Sequence, residues 1–162
     1  MAQRLQVTGD IKPDRFGWVE PLRTGWVLYA CDCAEHVLPL TYDDYQRHEA
    51  GVVIELARAW SLNFGNRRWL PLCQKALDAI GDVPGPDYPA FESAYHAGKC
   101  AINVSRAYTE VEEDQRIFTW YAAQSANLAA KTAVRAVFEY YGKVEAEAEK
   151  KWQAERREYY GL

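Results

Sequence analysis

Residues 24–39 read TGWVLYACDCAEHVLP, and the spacing of side chains in this stretch decides the fold class. Apolar and small side chains recur every three or four residues, which is the period of an α-helix with one buried face. Thr24 can cap such a helix at its start. Pro39 ends it, because proline has no amide hydrogen to donate to a continuing helix. We therefore predict a first helix over residues 24–38.

The same period continues through the rest of the chain, and no stretch shows the alternation of a β-strand. Small residues at Ala94, Gly98 and Ala101 predict a close approach between two helices. The pattern predicts an all-α fold, with five to six helices in one compact domain over residues 24–162, bundle-like or orthogonal. An irregular N-terminal arm is expected over residues 1–23. The later helices are expected near residues 41–62, 67–80, 89–108, 114–141 and 144–160.

Local signals mark three of the later helix ends. Thr41 and Asp44 resemble a capping box, which would start the second helix. Pro89 suits the first turn of a helix, where its missing amide hydrogen costs nothing. Gly142 is expected to end the long alanine-rich helix before the last one begins.

The composition is that of an ordinary globular protein with an excess of aromatic side chains, at 14% of 162 residues. Aromatic side chains anchor many protein–protein contacts, so the excess favours a role in binding another protein. The net charge of −4 disfavours general binding to nucleic acid, because such surfaces are normally basic. No apolar run is long enough to cross a membrane, and no export signal is evident. We therefore expect a cytoplasmic protein with reduced cysteines.

The segment from Cys31 to His36 contains thiols, carboxylates and a histidine, which are the side chains of metal and catalytic sites. On a helix each residue turns by ~100°, so Cys31 and Cys33 point about 200° apart and cannot share one metal ion. Cys33 and His36 do share a face, and His96 is the other obvious donor. These three residues are the candidates for a metal site, although tetrahedral zinc needs four ligands. We expect no resident metal or other cofactor.

A nucleophilic pair of Cys33 and His36 is the alternative catalytic interpretation. Cys33 aligns with apolar neighbours on the helix, which is typical of a small core residue. The sequence also contains no phosphate-binding glycine loop, nucleophile elbow or H-E-x-x-H motif. We therefore predict a protein that is not an enzyme, and keep a small metal- or thiol-dependent enzyme as an alternative.

Two groups of carboxylates stand out along the chain. Asp32 and Glu35 are three residues apart on the first helix, where they either face water or pair with a basic residue. The basic residues that could pair with them are Arg58, Arg106 and Lys131. The second group is an acidic run that either interacts with the positive end of a helix or contacts a basic partner. Its candidate partner-binding residues are Glu110, Glu112, Glu113 and Asp114.

Three blocks of residues carry a family resemblance. Trp26 is followed by CDCAEHVLP at residues 31–39, residues 54–60 read IELARAW, and Trp152 precedes a glutamine near the end. In this order, over about residues 24–156, the chain resembles the Imm-five-like immunity proteins of bacterial polymorphic-toxin systems. The resemblance implies a small cytoplasmic all-α protein that binds and neutralises a cognate toxin. The matched signature residues are Trp26, Asp32, Glu35, Arg58, Trp60 and Trp152.

A motif shared by proteins with different targets is expected to be architectural. We therefore predict that the signature residues hold the fold, and that Asp32 or Glu35 forms an internal salt bridge with Arg58. Three functions are considered. The leading one is a stoichiometric inhibitor of a bacterial toxin. The second is a phage-encoded inhibitor of a host defence enzyme on the same scaffold, which neighbouring genes would distinguish. The third is the small enzyme, using Cys33, His36 and His96, which metal analysis and thiol reactivity would test.

Overall fold

The computed structural model describes the backbone of residues 20–41, 44–62, 69–80, 88–109 and 112–162. Side chains are described in the same ranges, except at residues 20–23, 69, 108–109 and 112–116. Within these ranges every regular element is helical, which confirms the predicted all-α class. The elements are α1 (Glu20–Val37), a 3₁₀ turn (Leu38–Leu40), α2 (Asp44–Leu62), α3 (Trp69–Ile80), α4 (Pro89–Thr109), α5 (Glu112–Tyr141) and α6 (Lys143–Tyr160).

The start of the first helix differs from the prediction. Helix α1 begins at Glu20, so Thr24 lies inside the helix and does not cap it. Pro21 falls in the first turn, where the missing amide hydrogen has no helical acceptor to lose, and the helix therefore extends through it. The predicted irregular arm is wrong for residues 20–23. The rest of it, residues 1–19, lies outside the described residues.

The end of α1 is close to the prediction, but the start of α2 is not. Pro39 lies in the 3₁₀ turn that follows Val37, so the α-helix stops where the proline predicts. The backbone of Thr41 is extended, and its hydroxyl donates to the carbonyl of Leu38 at 2.8 Å. The predicted capping box is therefore wrong, because Thr41 closes the 3₁₀ turn and α2 begins at Asp44.

Helices α4 and α5 form the centre of the bundle. Ser93 donates to the carbonyl of Ala129 at 2.7 Å, and the Cys100 thiol to that of Ala122 at 3.2 Å. The order of these contacts shows that the two helices run antiparallel. Their facing sides are close enough for side chain to backbone contact because they are built from alanine. The fully or nearly fully buried alanines of these two helices include Ala90, Ala94, Ala97 and Ala101 in α4, and Ala122, Ala126, Ala129 and Ala133 in α5.

Gly98 of α4 allows both α2 and α3 to pack closely against α4. A β-carbon at this position would lie 2.7 Å from the Leu77 Cδ2 atom and 2.7 Å from the Val53 Cγ1 atom. Such contacts are shorter than packed carbon atoms tolerate, so a side chain at this position would force Leu77 and Val53 to shift. The predicted close approach at this small-residue stretch is confirmed, since Ala94 and Ala101 are also buried.

Helix α1 carries the Cys31 to His36 segment. It packs against α2, α4, α5 and α6, so the first and last of the described helices are in contact. Gly142, with φ of 104°, separates α5 from α6 and confirms the predicted end of the long helix. The reversal at Gly142 brings α6 back alongside α1.

Candidate functional site

The two thiols of the Cys31 to His36 segment are core residues. Both side chains are fully buried, and the Cys31 Sγ atom lies 3.7 Å from the carbonyl oxygen of Ile54 in α2. Cys33 instead interacts with the hydroxyl of Tyr29 on its own helix. The thiols therefore face different neighbours, in agreement with the helical geometry that separates them.

Burial suppresses ionisation of these thiols. Loss of solvent raises the pKa of Cys33 from about 9 to about 12, and the same effect raises the pKa of Cys73 to about 12. Burial also raises the pKa values of Cys31 and Cys100. All four cysteines are free and buried. At neutral pH they are thiols that pack in the core, because a nucleophilic cysteine needs an accessible thiolate.

Asp32 is the centre of a polar network that joins three helices. Its Oδ1 atom accepts a hydrogen bond of 2.9 Å from Arg58 Nη2 of α2. Its Oδ2 atom accepts bonds from both Nε, at 2.9 Å, and Nη2 of Arg156 of α6. The hydroxyl of Tyr160, also in α6, donates to the same Oδ2 atom at 2.7 Å. Both oxygens of Asp32 therefore have hydrogen-bond partners within the protein, as expected for a side chain that is only 13% exposed.

Arg58 extends this network to a second carboxylate. Its Nη1 atom lies 2.8 Å from Glu35 Oε2, while Nη2 bonds Asp32. The salt bridge predicted between Arg58 and Asp32 or Glu35 is thus confirmed, and Arg58 holds both. The planar guanidinium suits this task because its two terminal nitrogens can serve separate acceptors. We call Asp32, Glu35, Arg58, Arg156 and Tyr160 the Asp32 network.

The charged groups of the Asp32 network stabilise one another. Partial burial opposes the charged form of Arg58, but the bond to Glu35 and the neighbouring carboxylates outweigh it and raise its pKa. For Arg156 the bond to Asp32 has the same result, with burial again opposing it. Burial and the bond to Asp32 raise the pKa of Tyr160 as well. The tyrosine therefore stays protonated and continues to donate.

A second cluster joins α1 to α6 one turn further along. His36 Nδ1 lies 2.7 Å from Glu149 Oε2, and the imidazole stacks on Trp152 with ring centres 4.1 Å apart. Glu149 is only 2% exposed. Its other oxygen accepts from Gln153 Nε2 at 2.9 Å, and the same amide nitrogen donates to the Ala130 carbonyl at 3.0 Å. His36 and Trp152 therefore serve the same contact between α1 and α6.

The three metal candidates do not meet. Cys33 is buried beside Tyr29, His36 pairs with Glu149, and His96 lies 3.5 Å from Glu92 on α4. Burial lowers the pKa of His96, although the bond to Glu92 opposes this change. In the part of the chain that the structure describes, no three histidine, cysteine or acidic side chains are placed to hold a metal ion together.

The remaining signature residues are also internal. Trp26 and Trp60 are buried in the core between α1, α2 and their neighbours. The guanidinium of Arg157, in α6, lies 5.4 Å from the ring centre of Trp26. Arg106 and Lys131, the other proposed partners of Asp32, are instead exposed, and Arg106 lies over the ring of Phe118. All six signature residues lie at contacts of α1, α2 or α6.

Sequence reasoning missed Arg156 and Tyr160. A charged helix with few apolar residues, such as α6, is typical of a solvated surface. A usable signal exists in its spacing, because Glu149, Gln153, Arg156 and Tyr160 recur every three or four residues. These four side chains share one face of α6, and that face contacts α1.

The acidic partner-binding candidates cannot be placed in this way. Glu110 lies outside the described residues, and the side chains of Glu112, Glu113 and Asp114 do as well. Only the backbone of the last three is described, as the first turn of α5. Their contact with a basic partner stays a prediction.

Two neighbouring clefts open beside the 3₁₀ turn, at the end of the bundle where α5 meets α6. The first has a volume of about 410 Å³ and is lined by Tyr88, Phe91 and Tyr140 among others. The second has a volume of about 460 Å³ and includes His36, Tyr141 and Trp152 in its wall. Pro39 and Leu40 border both clefts. We call this region the two-cleft surface.

Two adjacent tyrosines project from the two-cleft surface. Tyr140 is 67% exposed and Tyr141 59% exposed, with their ring centres 4.8 Å apart in an edge-to-face arrangement. Tyrosine is favoured at protein interfaces because its ring supplies apolar area and its hydroxyl supplies a hydrogen bond. The two clefts can thus receive side chains of another protein, while Tyr140 and Tyr141 contact the surface of that protein around them.

None of the described helices has the length and apolar character that crossing a bilayer demands. Comparison of the chain with protein-family models, with curated proteins and with solved structures finds no match. The function of the protein is therefore inferred from its residues and their geometry.

Proposed function

We propose that this protein is a stoichiometric inhibitor of the immunity type, which binds a toxin protein in the cytoplasm and neutralises it. The observation that carries the proposal is the two-cleft surface, with Tyr140 and Tyr141 exposed side by side between two cavities. Residues that dominate binding energy at protein interfaces are enriched in tyrosine and tryptophan and pack into pockets when the partner binds.

The use of the signature residues supports this assignment. Asp32, Glu35 and Arg58 are engaged with one another or with α6, which is a structural role. A motif devoted to holding helices together fits a family whose members share a scaffold and differ in target. The resemblance to immunity proteins rests on these residues, and their structural role agrees with it.

The properties of the thiols and histidines favour binding over catalysis. A thiol enzyme at Cys33 would need a reactive thiolate, but the pKa of this buried group is about 12. His36 is held between the Glu149 carboxylate and the Trp152 ring, and it does not contact a nucleophilic side chain in any described interaction. These residues therefore contribute packing and helix contacts in the proposed function.

Charge contributes to the proposed encounter. The net charge of −4 favours association with a basic partner, such as a nuclease toxin whose own surface binds phosphate. Glu139 lines the first cleft and Glu145 lines the second. Carboxylates at the edge of an aromatic patch accelerate association and orient the partner, whereas the aromatic contacts supply most of the affinity.

The test is co-expression with the product of the adjacent gene, in cells that this product otherwise kills. We expect survival, recovery of a complex with equal numbers of both chains, and loss of the toxin's activity in that complex. Survival without a complex, or a complex in which the toxin stays active, would contradict the proposal.

Variants locate the surface within the same assay. Replacing both tyrosines (Tyr140→Ala with Tyr141→Ala) is expected to weaken the complex by at least about 100-fold, because two interface anchors are lost. Leu72→Ala is the matched control, since this exposed leucine is on α3, which contacts neither α5 nor α6. If both variants bind like the original chain, the interface lies elsewhere.

A further inference from the structure

The outer face of α5 has large apolar side chains along its described length, with Gln124, Lys131 and Arg135 between them. Five large side chains point away from the bundle and are between 41% and 58% exposed: Ile117, Trp120, Tyr121, Leu128 and Phe138. At ~100° per residue they fall within an arc of about 100° of the helix. The face extends over about 30 Å, at ~1.5 Å per residue.

We propose that the outer face of α5 binds a second copy of this chain, with the two helices antiparallel about a two-fold axis at Leu128. The proposal is independent of the function proposed above, because it uses other residues and needs no toxin. Three properties of the face support it, namely its area, the symmetry of its spacing and the distribution of its charges.

The available area is enough for a specific dimer. The five side chains each expose about half of a surface of roughly 150–250 Å², so together they offer on the order of 500 Å² per copy. Two copies would bury about 1,000 Å² of apolar surface, which reaches the lower bound for a specific interface. A patch of this size is also near the upper limit that a monomeric protein exposes.

The spacing of the face is self-complementary. Positions 117, 121, 128 and 138 carry apolar side chains, and Gln124, Lys131 and Arg135 complete the intervals of four and three residues between them, which is the spacing of a seam between two packed helices. A two-fold axis at Leu128 sets Leu128 against its own copy and Ile117 against Phe138. A symmetric interface requires this kind of reciprocal pairing.

The charges of the face select the antiparallel direction. Lys131 and Arg135 lie in its second half, whereas Trp120 and Tyr121 lie in its first half. In the antiparallel pair Arg135 approaches Tyr121 of the other copy, where a guanidinium is attracted by the aromatic ring. In a parallel pair the two copies of Lys131 and of Arg135 would meet and repel. Arg135 is held by Glu139 at 2.7 Å and keeps 42% of its side chain exposed.

Sedimentation equilibrium of the full chain tests the association. Concentrations from ~1 to ~200 µM cover the range in which weak homodimers form. We expect a mass approaching twice 18.5 kDa at the upper end. Leu128→Lys places two ammonium groups at the axis and is expected to raise the dimer dissociation constant at least about 100-fold. Leu72→Lys, a similarly exposed leucine on α3, is the control and should not change it.

Engineered cysteines test the orientation, because the four native thiols are buried. Under a copper–phenanthroline oxidant, Leu128→Cys is expected to form a disulfide between copies, since the residue faces itself. Ile117→Cys faces Phe138 and is expected not to form one. Circular dichroism confirms that each variant is folded. The proposal is overturned by a monomer at every concentration, which would leave the face to a different partner or to residues 1–19. A dimer unaffected by Leu128→Lys, or efficient cross-linking of Ile117→Cys, would overturn it as well.

Discussion

Two regions of the molecule invert the usual distribution of side chains. One is the contact between α1 and α6, and the other is the outer face of α5. The first places carboxylates, guanidiniums and a tyrosine hydroxyl between helices, where Asp32 is 13% exposed. The second places tryptophan, tyrosine, leucine and phenylalanine in contact with solvent. Buried charges are costly unless each is paired, and exposed apolar patches indicate a contact with another molecule.

Within this one protein, the first region stabilises the fold and the second is available to contact another molecule. Polar groups of the Asp32 network satisfy one another and give the contact between the first and last helices its specific geometry. The large apolar side chains on the outer face of α5 keep about half of their surface in contact with solvent. Substitutions in the first region should therefore reduce the free energy of unfolding, and substitutions in the second should leave it unchanged while reducing association.

Among single substitutions, the largest expected effect is that of Asp32→Ala. Removing this carboxylate leaves Arg58 and Arg156 without their common partner, and we expect a loss of about 3 kcal/mol in urea unfolding. The figure lies at the lower end for a buried pair because both guanidiniums keep about a quarter of their exposure. Asp44→Ala, which removes a fully exposed carboxylate paired with Arg47, should cause no measurable loss. A loss below about 0.5 kcal/mol for Asp32→Ala would mean that the network is an ordinary surface ion pair.

The next effect is that of Glu149→Ala, in the second cluster between α1 and α6. The buried carboxylate is the acceptor for His36 and Gln153, so its removal is expected to cost about 2 kcal/mol of unfolding free energy. Glu147→Ala is the matched control on the same helix, because Glu147 is exposed and pairs with Lys150. Equal unfolding curves for the two variants would show that α6 does not depend on this contact.

Alkaline pH should weaken the interior before it affects the outer face. The pKa of Cys33 and of Cys73 is about 12 in the folded chain, compared with about 9 when unfolded. The unfolded chain therefore loses these protons first, so their contribution is intact below pH ~9 and disappears between pH ~9 and ~12. Each thiol should add a slope of about 1.4 kcal/mol per pH unit in that range.

Denaturation at a series of pH values measures this slope, and Cys33→Ala should reduce it. In the same preparation, a thiol reagent at pH 8 should find all four cysteines unreactive until the protein is unfolded. Rapid labelling of Cys33 in the native chain would contradict its buried position and would restore the thiol-enzyme alternative.

The smallest effect on folding belongs to the outer face of α5. Trp120→Ala should change the free energy of unfolding by less than about 0.5 kcal/mol, because the ring is more than half exposed. The measurement is made at a concentration too low for association, so that only the monomer contributes. A loss above about 1 kcal/mol would show that the ring is packed within its own chain, and would remove the contrast between the two regions.

The sequence was sufficient for the helices and for part of the Asp32 network. The period of three to four residues locates the helices to within a few positions, and Arg58 is recognisable because a carboxylate on a buried helix needs a basic partner. The start of α1 was missed because Pro21 resembles a breaker, although the first turn tolerates proline.

Arg156 and Tyr160 were not predicted for a different reason. They lie 124 and 128 residues from Asp32, and periodicity along the chain carries no information about which distant helices meet. The two-cleft surface has the same origin, since its walls come from the 3₁₀ turn and from α1, α2, α4, α5 and α6. Tertiary packing creates both the Asp32 network and the two-cleft surface. A single sequence indicates which face of each helix is buried, but not which helices meet.

The coupling between Asp32 and Arg156 tests the central claim, that the motif on α1 exists to bind the last helix. A double-mutant cycle with Asp32→Ala, Arg156→Ala and the combined variant measures it by urea unfolding. We predict a coupling free energy of about 2 kcal/mol, because each residue loses its main partner when the other is removed. A coupling below about 0.3 kcal/mol would contradict the claim, since the two side chains would then contribute independently to stability.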